Sequence, residues 1–362
     1  MKFVSLFFSV INYIITISLS VVLAASYFAS IISPASVWWL SVIAIASPVL
    51  IIAVLITFLY NLVRLNFLAI VPLVVLIVGI PKINGQFNVT FLKGYDIPSN
   101  SIKIASHNVR VLVDASWHNA VDSTVAFVKK EKPDIIAFQE FYVTKGVTAD
   151  SINSLFAIYP NYSTAFYDAE NRGLGFAIFS KYPIVKKGKL LYKTDICGMQ
   201  WVDVVVQNDT LRVFNIHMKS SGIDGNDKML LNGSILSENN VDSTERNRLK
   251  NIIKKVKASA ETRAFQADTI SQIIASSPHN VVVCGDLNDV PFSYTYNSIK
   301  GNLNDTFKEK GGLFAYSYNQ LYRLLKIDYI FTSKNYAVCS YNSFDVTYSD
   351  HNPIIVNINR KK

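Results

Sequence analysis

No charged residue occurs between Phe3 and Val63, and no Asp or Glu occurs before Asp96. A water-soluble domain covers its surface with charged side chains. The lack of charge therefore excludes a solvated N-terminal fifth and assigns it to lipid. Cysteine is also scarce, with only Cys197, Cys284 and Cys339. An odd, sparse set excludes a disulfide framework, and no CxxC pair or Cys/His cluster points to zinc. Cys284 follows three valines and reads as a core residue. The chain has no short repeat and no low-complexity tract. It also lacks a dense Lys/Arg block; the nearest, Arg248 to Lys257, reads as the polar face of a helix.

What is present begins with apolar runs at about Val4–Ser30, Val37–Val63 and Leu65–Ile80. A helix needs roughly 20 apolar residues to cross the hydrocarbon core. The first two runs meet this length, and the third, short and ending at Pro81, is read as a further span. About three transmembrane helices over residues 1–81 are thus expected, with Trp38 and Trp39 at an interface. A cleavable signal peptide would explain only the first run. Lys2 and Arg64 mark the cytoplasmic side, so an odd number of crossings puts the rest of the chain outside the cytoplasm.

Residues 82–101 read as a polar linker, and residues 102–362 as one domain in which short β-branched runs alternate with helical stretches. Several strands follow one another directly as hairpins. That mixture predicts an α/β sandwich with mixed sheets rather than a doubly wound parallel sheet. Thr244–Ala275 reads as one long amphipathic helix carrying Arg263 and Gln266. Residues 220–243, rich in Gly, Ser, Asn and Asp, read as a long loop of the kind that forms lids.

Six strand boundaries carry polar residues of catalytic type: His107-Asn108, Gln139-Glu140, His217, Gly285-Asp286-Leu287-Asn288, Asp328 and Ser349-Asp350-His351-Asn352. Each alone has an ordinary explanation, as a turn residue or a solvated carboxylate. Together they describe one rim of a sheet sandwich that can hold a hard cation through oxygen atoms.

These segments resemble the endonuclease/exonuclease/phosphatase superfamily, the deoxyribonuclease-I-like fold. The resemblance rests on S-H-N-V-R (106–110), P-D-I-I-A-F-Q-E (133–140), G-F-A-I-F-S-K-Y-P-I (175–184), F-N-I-H (214–217), G-D-L-N-D-V-P (285–291), I-D-Y-I-F (327–331) and S-D-H-N-P-I (349–354), in the family's order. It implies a four-layer α-β-β-α sandwich and a metal-dependent phosphoesterase. Glu140 then resembles the main ligand of Mg²⁺ or Mn²⁺, with Asn108 and Asp350 assisting. Asp286 and Asn288 resemble the pair that orients the attacking water and phosphate, with Asp286 accepting the proton. His351 would touch a phosphate oxygen with Asp328 as its carboxylate partner, and His217 resembles the second histidine. No clear partner for His217 is found, Glu170 lying only near the right region; Arg172 is a candidate phosphate contact. His107 reads as a packing residue.

The formal net charge is +9, of which Lys2 and Arg64 contribute two, leaving +7 on the remainder. That balance favours a polyanion such as nucleic acid. Membrane tethering favours a lipid headgroup or inositol phosphate instead. A third possibility is a binding domain that keeps the fold without catalysis. No protein partner is expected.

Overall fold

The computed structural model describes residues 2–88, 94–114, 116–143, 154–168, 173–193, 195–223, 225–234 and 243–361. The N-terminal apolar residues form helices α1 (Lys2–Phe28), α2 (Trp39–Ile45), α3 (Ser47–Val63) and α4 (Ile70–Ile83). Only Leu6–Phe28 is a continuous helix long and apolar enough to cross a membrane among the described residues. This corrects the expectation of about three spans. The second run is broken, with α2 and α3 meeting at 67°. Pro48 in the first turn of α3 cannot donate a backbone hydrogen bond to the preceding turn, so a new helix starts there. The third run, Phe67–Ile83 with its leading turn, falls below the length a crossing needs. At most two spans result, if the bent pair counts as one.

Polar side chains and a glycine tie these helices together. Asn61 on α3 is fully buried; it accepts from Asn12 Nδ2 at 2.9 Å and donates to Thr16 Oγ1 at 3.2 Å. The Tyr27 hydroxyl donates to the Val75 carbonyl at 2.9 Å. Gly79 makes room for it: a Cβ there would lie 2.1 Å from the Tyr27 oxygen.

Beyond residue 101 the chain builds two six-stranded sheets. In chain order the strands are β1 (Ile102–Asn108), β2 (Ile135–Val143), β3 (Asn161–Phe166), β4 (Gly173–Ser180), β5 (Ile184–Tyr192), β6 (Cys197–Val206), β7 (Asp209–His217), β8 (Asn280–Asp286), β9 (Asn304–Asp305), β10 (Asp328–Thr332), β11 (Tyr336–Ser343) and β12 (Ile354–Arg360). The first sheet runs β11-β12-β1-β2-β4-β3, the second β5-β6-β7-β8-β10-β9. Among the described strands, only β1/β2 and β7/β8 pair in parallel. Both sheets are therefore mixed, as the hairpin-rich pattern of the sequence predicts.

Alternation along the strands places Ile104, Ile135 and Ile178 of one sheet against Val202, Val213 and Val282 of the other. Helix α5 (Val121–Glu131) covers the outer face of the first sheet through Val125 and Val128. The outer face of the second is covered by a long helix, Ser243–Ala275, through Ala267, Ile270 and Ile274. This helix is α7, because the expected loop at 220–243 is interrupted by α6 (Gly225–Ser234). Asp227 in its first turn pairs with Lys255 on α7 at 2.6 Å, which fixes α6 to the domain. Residues 235–242 lie outside the described part.

The helices and the domain share a core. Val290 and Phe292, just past the Gly-Asp-Leu-Asn turn, pack with Leu23, Leu40 and Ile51. The expected linker is docked over residues 82–88. Gln86 and Asn88 are fully buried and donate to the carbonyls of Ala315 at 2.7 Å and Phe307 at 2.8 Å.

Candidate active site

The parallel pairs β1/β2 and β7/β8 end on the same side of the sheet pair, and register fixes what stands there. His217 is opposite Asp286 across β7/β8, and Asp286 is opposite Asp328 across β8/β10. In the other sheet, Asn108 is opposite Gln139. A buried amide pair joins the two rims. Gln139 Nε2 donates to Asn215 Oδ1 at 2.6 Å, and Asn215 Nδ2 donates to the Phe138 carbonyl at 2.9 Å. Buried hydrogen bonds of this kind hold two sheets in one relative position.

Two site residues adopt left-handed backbone that L-residues rarely take: Glu140 at φ +51° and Asn288 at φ +50°. Glu140 sits on a β-bulge between Phe138 and Phe141, which turns its carboxylate out of the alternation of β2 and toward the second sheet. The Asn288 turn is closed by its own N–H donating to Asp286 Oδ1 at 2.7 Å.

The carboxylates meet at Asn108, whose Nδ2 donates to Glu140 Oε1 and to Asp286 Oδ2, each at 3.0 Å. His217 Nε2 stands 3.5 Å from Glu140 Oε1 and 3.8 Å from Asp286 Oδ2, buried and without a hydrogen bond. On the opposite side His351 Nε2 lies 3.7 Å from Asp286 Oδ2, while its Nδ1 is 2.9 Å from Asp328 Oδ2. Burial alone would lower the basicity of His351. Asp328 and Asp286 outweigh it and hold the imidazole well above its ordinary pKa. Burial, aided by Asp328, pushes the Asp286 carboxyl up to about 6, against the opposing pull of both histidines.

Glu140, Asp286, Asn288, Asp350 and His351 line one cavity of about 460 Å³, with Asn108 and Asp328 bonded to them from behind. Asp350 lies 3.7 Å from Arg110 Nε on the cavity wall. Arg172 and Glu170 fall outside the described residues. His107 is buried among the rings of Phe127, Phe138 and Tyr348, and burial lowers its pKa to about 3, in keeping with a packing role.

The donor set fits a divalent cation. Ligand atoms of Glu140, His217 and Asp286 lie within 4.8 Å of one another, as do those of Asp286, Asp328 and His351. Carboxylate oxygens suit a hard ion, and the bare His217 nitrogen faces the same point. Asn108 would have to turn its amide by half a rotation to offer Oδ1, releasing the Arg110 N–H that Oδ1 now accepts at 3.0 Å. Asp350 belongs to neither group.

Several supporting residues are not evident from residue type alone. Ser349 Oγ donates to the Asn108 carbonyl at 2.8 Å and accepts from the His351 N–H at 3.1 Å, linking the first and last motifs. The Tyr318 ring packs on the His351 imidazole at 5.1 Å. Arg263 of α7 is wholly buried, with Nε 3.1 Å from Asp289 Oδ2 and Nη1 donating to the Lys219 carbonyl at 3.0 Å. The Ser of S-D-H and the Arg on the alanine face of α7 were the available signals.

Comparison with known proteins bears on the family and the fold. Residues 105–351 match the endonuclease/exonuclease/phosphatase family, and residues 5–85 match a separate domain of unknown function. No curated protein sequence matches the chain. Among solved structures, an endonuclease/exonuclease/phosphatase from Beutenbergia cavernae superposes with a TM-score of 0.50 at 15% identity, covering 72% of each chain. The human Nocturnin catalytic domain with bound sulfate also gives 0.50, at 14% identity over 75% of this chain and 98% of that one. At these identities the superpositions speak for the fold. With the family match spanning more than half of the sequence, the chain belongs to the endonuclease/exonuclease/phosphatase family of metal-dependent phosphoesterases.

Proposed function

We propose that this protein is a membrane-anchored, Mg²⁺-dependent hydrolase of phosphodiester or phosphomonoester bonds, with residues 102–362 as its catalytic domain. The observation that carries the reading is the position of Asp286. Its carboxylate is buried, shares the Asn108 amide with Glu140 and lies within 4 Å of the nearest nitrogens of His217 and His351.

Glu140, with Asn108 and Asp350, is the proposed metal-binding set. A bound Mg²⁺ or Mn²⁺ would neutralise charge on the phosphoryl oxygens and the leaving oxygen. Asp286 accepts the proton of the attacking water, its oxygen aimed by the Asn288 N–H. His351, kept protonated by Asp328, donates to a phosphate oxygen, and His217 faces the phosphorus from the other side as donor to the leaving group. Arg172 is proposed as a phosphate contact. Hydrolysis of a chromogenic phosphodiester by the full-length chain tests the reading. Turnover should require Mg²⁺ or Mn²⁺ and vanish in Glu140→Ala; metal-independent turnover would sink it.

Anchoring through α1 is supported by its outward apolar side chains, Phe8 and Val21 among them, and by its bonds to α3 and α4. With Lys2 in the cytoplasm, a single crossing by α1 places the domain on the other side. One feature favours a nucleic-acid substrate: Trp117, 73% exposed at the cavity mouth with the Arg110 guanidinium 5.5 Å from its ring centroid, offers a stacking platform.

A further inference from the structure

The bend between α2 and α3 does more than interrupt a helix. Next to the catalytic cavity lies a second cavity of about 350 Å³, and every side chain that lines it is apolar. Ile45 and Val49 come from the bend, Ile223 and Leu231 from the segment entering and forming α6, Ile252 from α7, and Leu325 from the loop before β10. Four residues, Ile45, Ile223, Leu321 and Leu325, line both this cavity and the catalytic one. The two spaces thus adjoin across one layer of shared side chains. One end of the combined space holds Glu140, Asp286 and His351, with Arg110 and Lys228 on its walls; the other holds no polar group.

An apolar cavity of this kind repels water and takes hydrocarbon. A nucleotide or a sugar phosphate has nothing to place there. The cavity is also walled by the apolar N-terminal helices, whose outer faces, at Ile52 and Ile56, are themselves exposed. We propose that the cavity between the α2–α3 bend and helix α7 binds the hydrocarbon chain of an amphiphilic phosphoester, whose phosphate then lies at the catalytic cavity. This assignment rests on the phosphoesterase reading and adds to it the class of substrate. The N-terminal helices become part of the substrate site as well as an anchor.

The test uses the full-length chain in lipid nanodiscs and has two arms. In the first, 4-nitrophenyl phosphodiesters with methyl, butyl and hexyl second substituents are compared in Mg²⁺. Each buried methylene should lower KM roughly fourfold, so the three methylenes from methyl to butyl give on the order of 60-fold. Leu231→Trp and Ile252→Phe, which fill the cavity away from the catalytic residues, should erase that gain and leave methyl-ester turnover unchanged. Equal KM across the series, or RNA or DNA turned over faster and unaffected by both variants, would overturn the proposal while leaving the phosphoesterase reading intact.

The second arm needs no turnover. Hexadecyl phosphate with a terminal diazirine is photolysed on the protein and the adducts are mapped by mass spectrometry. Adducts within 42–49, 223–231 and 249–256 are expected, and their loss in the two variants. Labelling confined to outer helix positions such as Phe8 and Ile77 would overturn the cavity assignment. Adducts in the cavity without Mg²⁺-dependent hydrolysis of any ester would instead remove the phosphoesterase reading.

Discussion

Replacing Arg263 with Met should loosen the catalytic rim from a distance. The guanidinium is fully buried and pairs with Asp289, itself 4% exposed, while a second nitrogen donates to the Lys219 carbonyl. Asp289 directly follows Asn288, and Lys219 follows His217 by two residues, so one side chain clamps both turns that carry site residues. Removing it strands a buried carboxylate that keeps only the Val290 N–H at 3.0 Å. Breaking a buried pair in this way costs about 3–5 kcal/mol. For a domain of this size each kcal/mol moves Tm by roughly 2–4 °C, which puts the expected loss at about 10 °C. Thermal unfolding followed by intrinsic tryptophan fluorescence measures it. Arg263→Met/Asp289→Asn should recover part of the loss, because the stranded charge is gone. A Tm within about 2 °C of the parent for the single variant would refute the clamp.

Asp286→Asn should lower kcat by orders of magnitude, read with the chromogenic diester. The same change should raise stability of the metal-free chain near neutral pH. A carboxyl raised to about 6 in the folded state destabilises it progressively as pH rises from the ordinary carboxylate range through 6; the gain is up to about 3 kcal/mol, seen as a higher Tm in EDTA. Activity of the metal-loaded enzyme should have an acid limb at or below about pH 6, where Asp286 takes up a proton. Asp328→Asn removes the charge that holds His351 protonated, so the alkaline limb of kcat/KM should move to lower pH; an unmoved limb would exclude His351 as its source. Gly285→Ala places a Cβ 2.3 Å from the Ile216 carbonyl and should separate β7 from β8, lowering Tm and activity together.

The candidate rim was legible in the sequence because residues of catalytic type cluster where β1, β2, β7 and β8 end and β10 begins. The strands least legible in the sequence, β3, β5, β9 and β11, are the edges of the two sheets. An edge strand buries less and tolerates charge; β5 carries Lys186, Lys187 and Lys189 and has no continuous apolar run. The break at Ser47-Pro48 was hidden for the opposite reason. Its surroundings are apolar on both sides, so hydropathy reads straight through a bend that only the proline reveals. Helix α6 was obscured by Gly, Ser and Asn, residues that favour loops, and is held by the pairing of Asp227 with Lys255, 28 positions away. The docking of Val290 and Phe292 against the helices likewise depends on contacts distant in sequence.

Crystals of the full-length chain grown with Mn²⁺ and measured at the manganese absorption edge would test most directly whether the scattered motifs meet at one ion. One anomalous peak is expected, within coordination distance of Glu140 and Asn108, with Asp286 beside it. A strongest peak elsewhere, or a Glu140 carboxylate turned away from Asp286 with no metal between them, would contradict it.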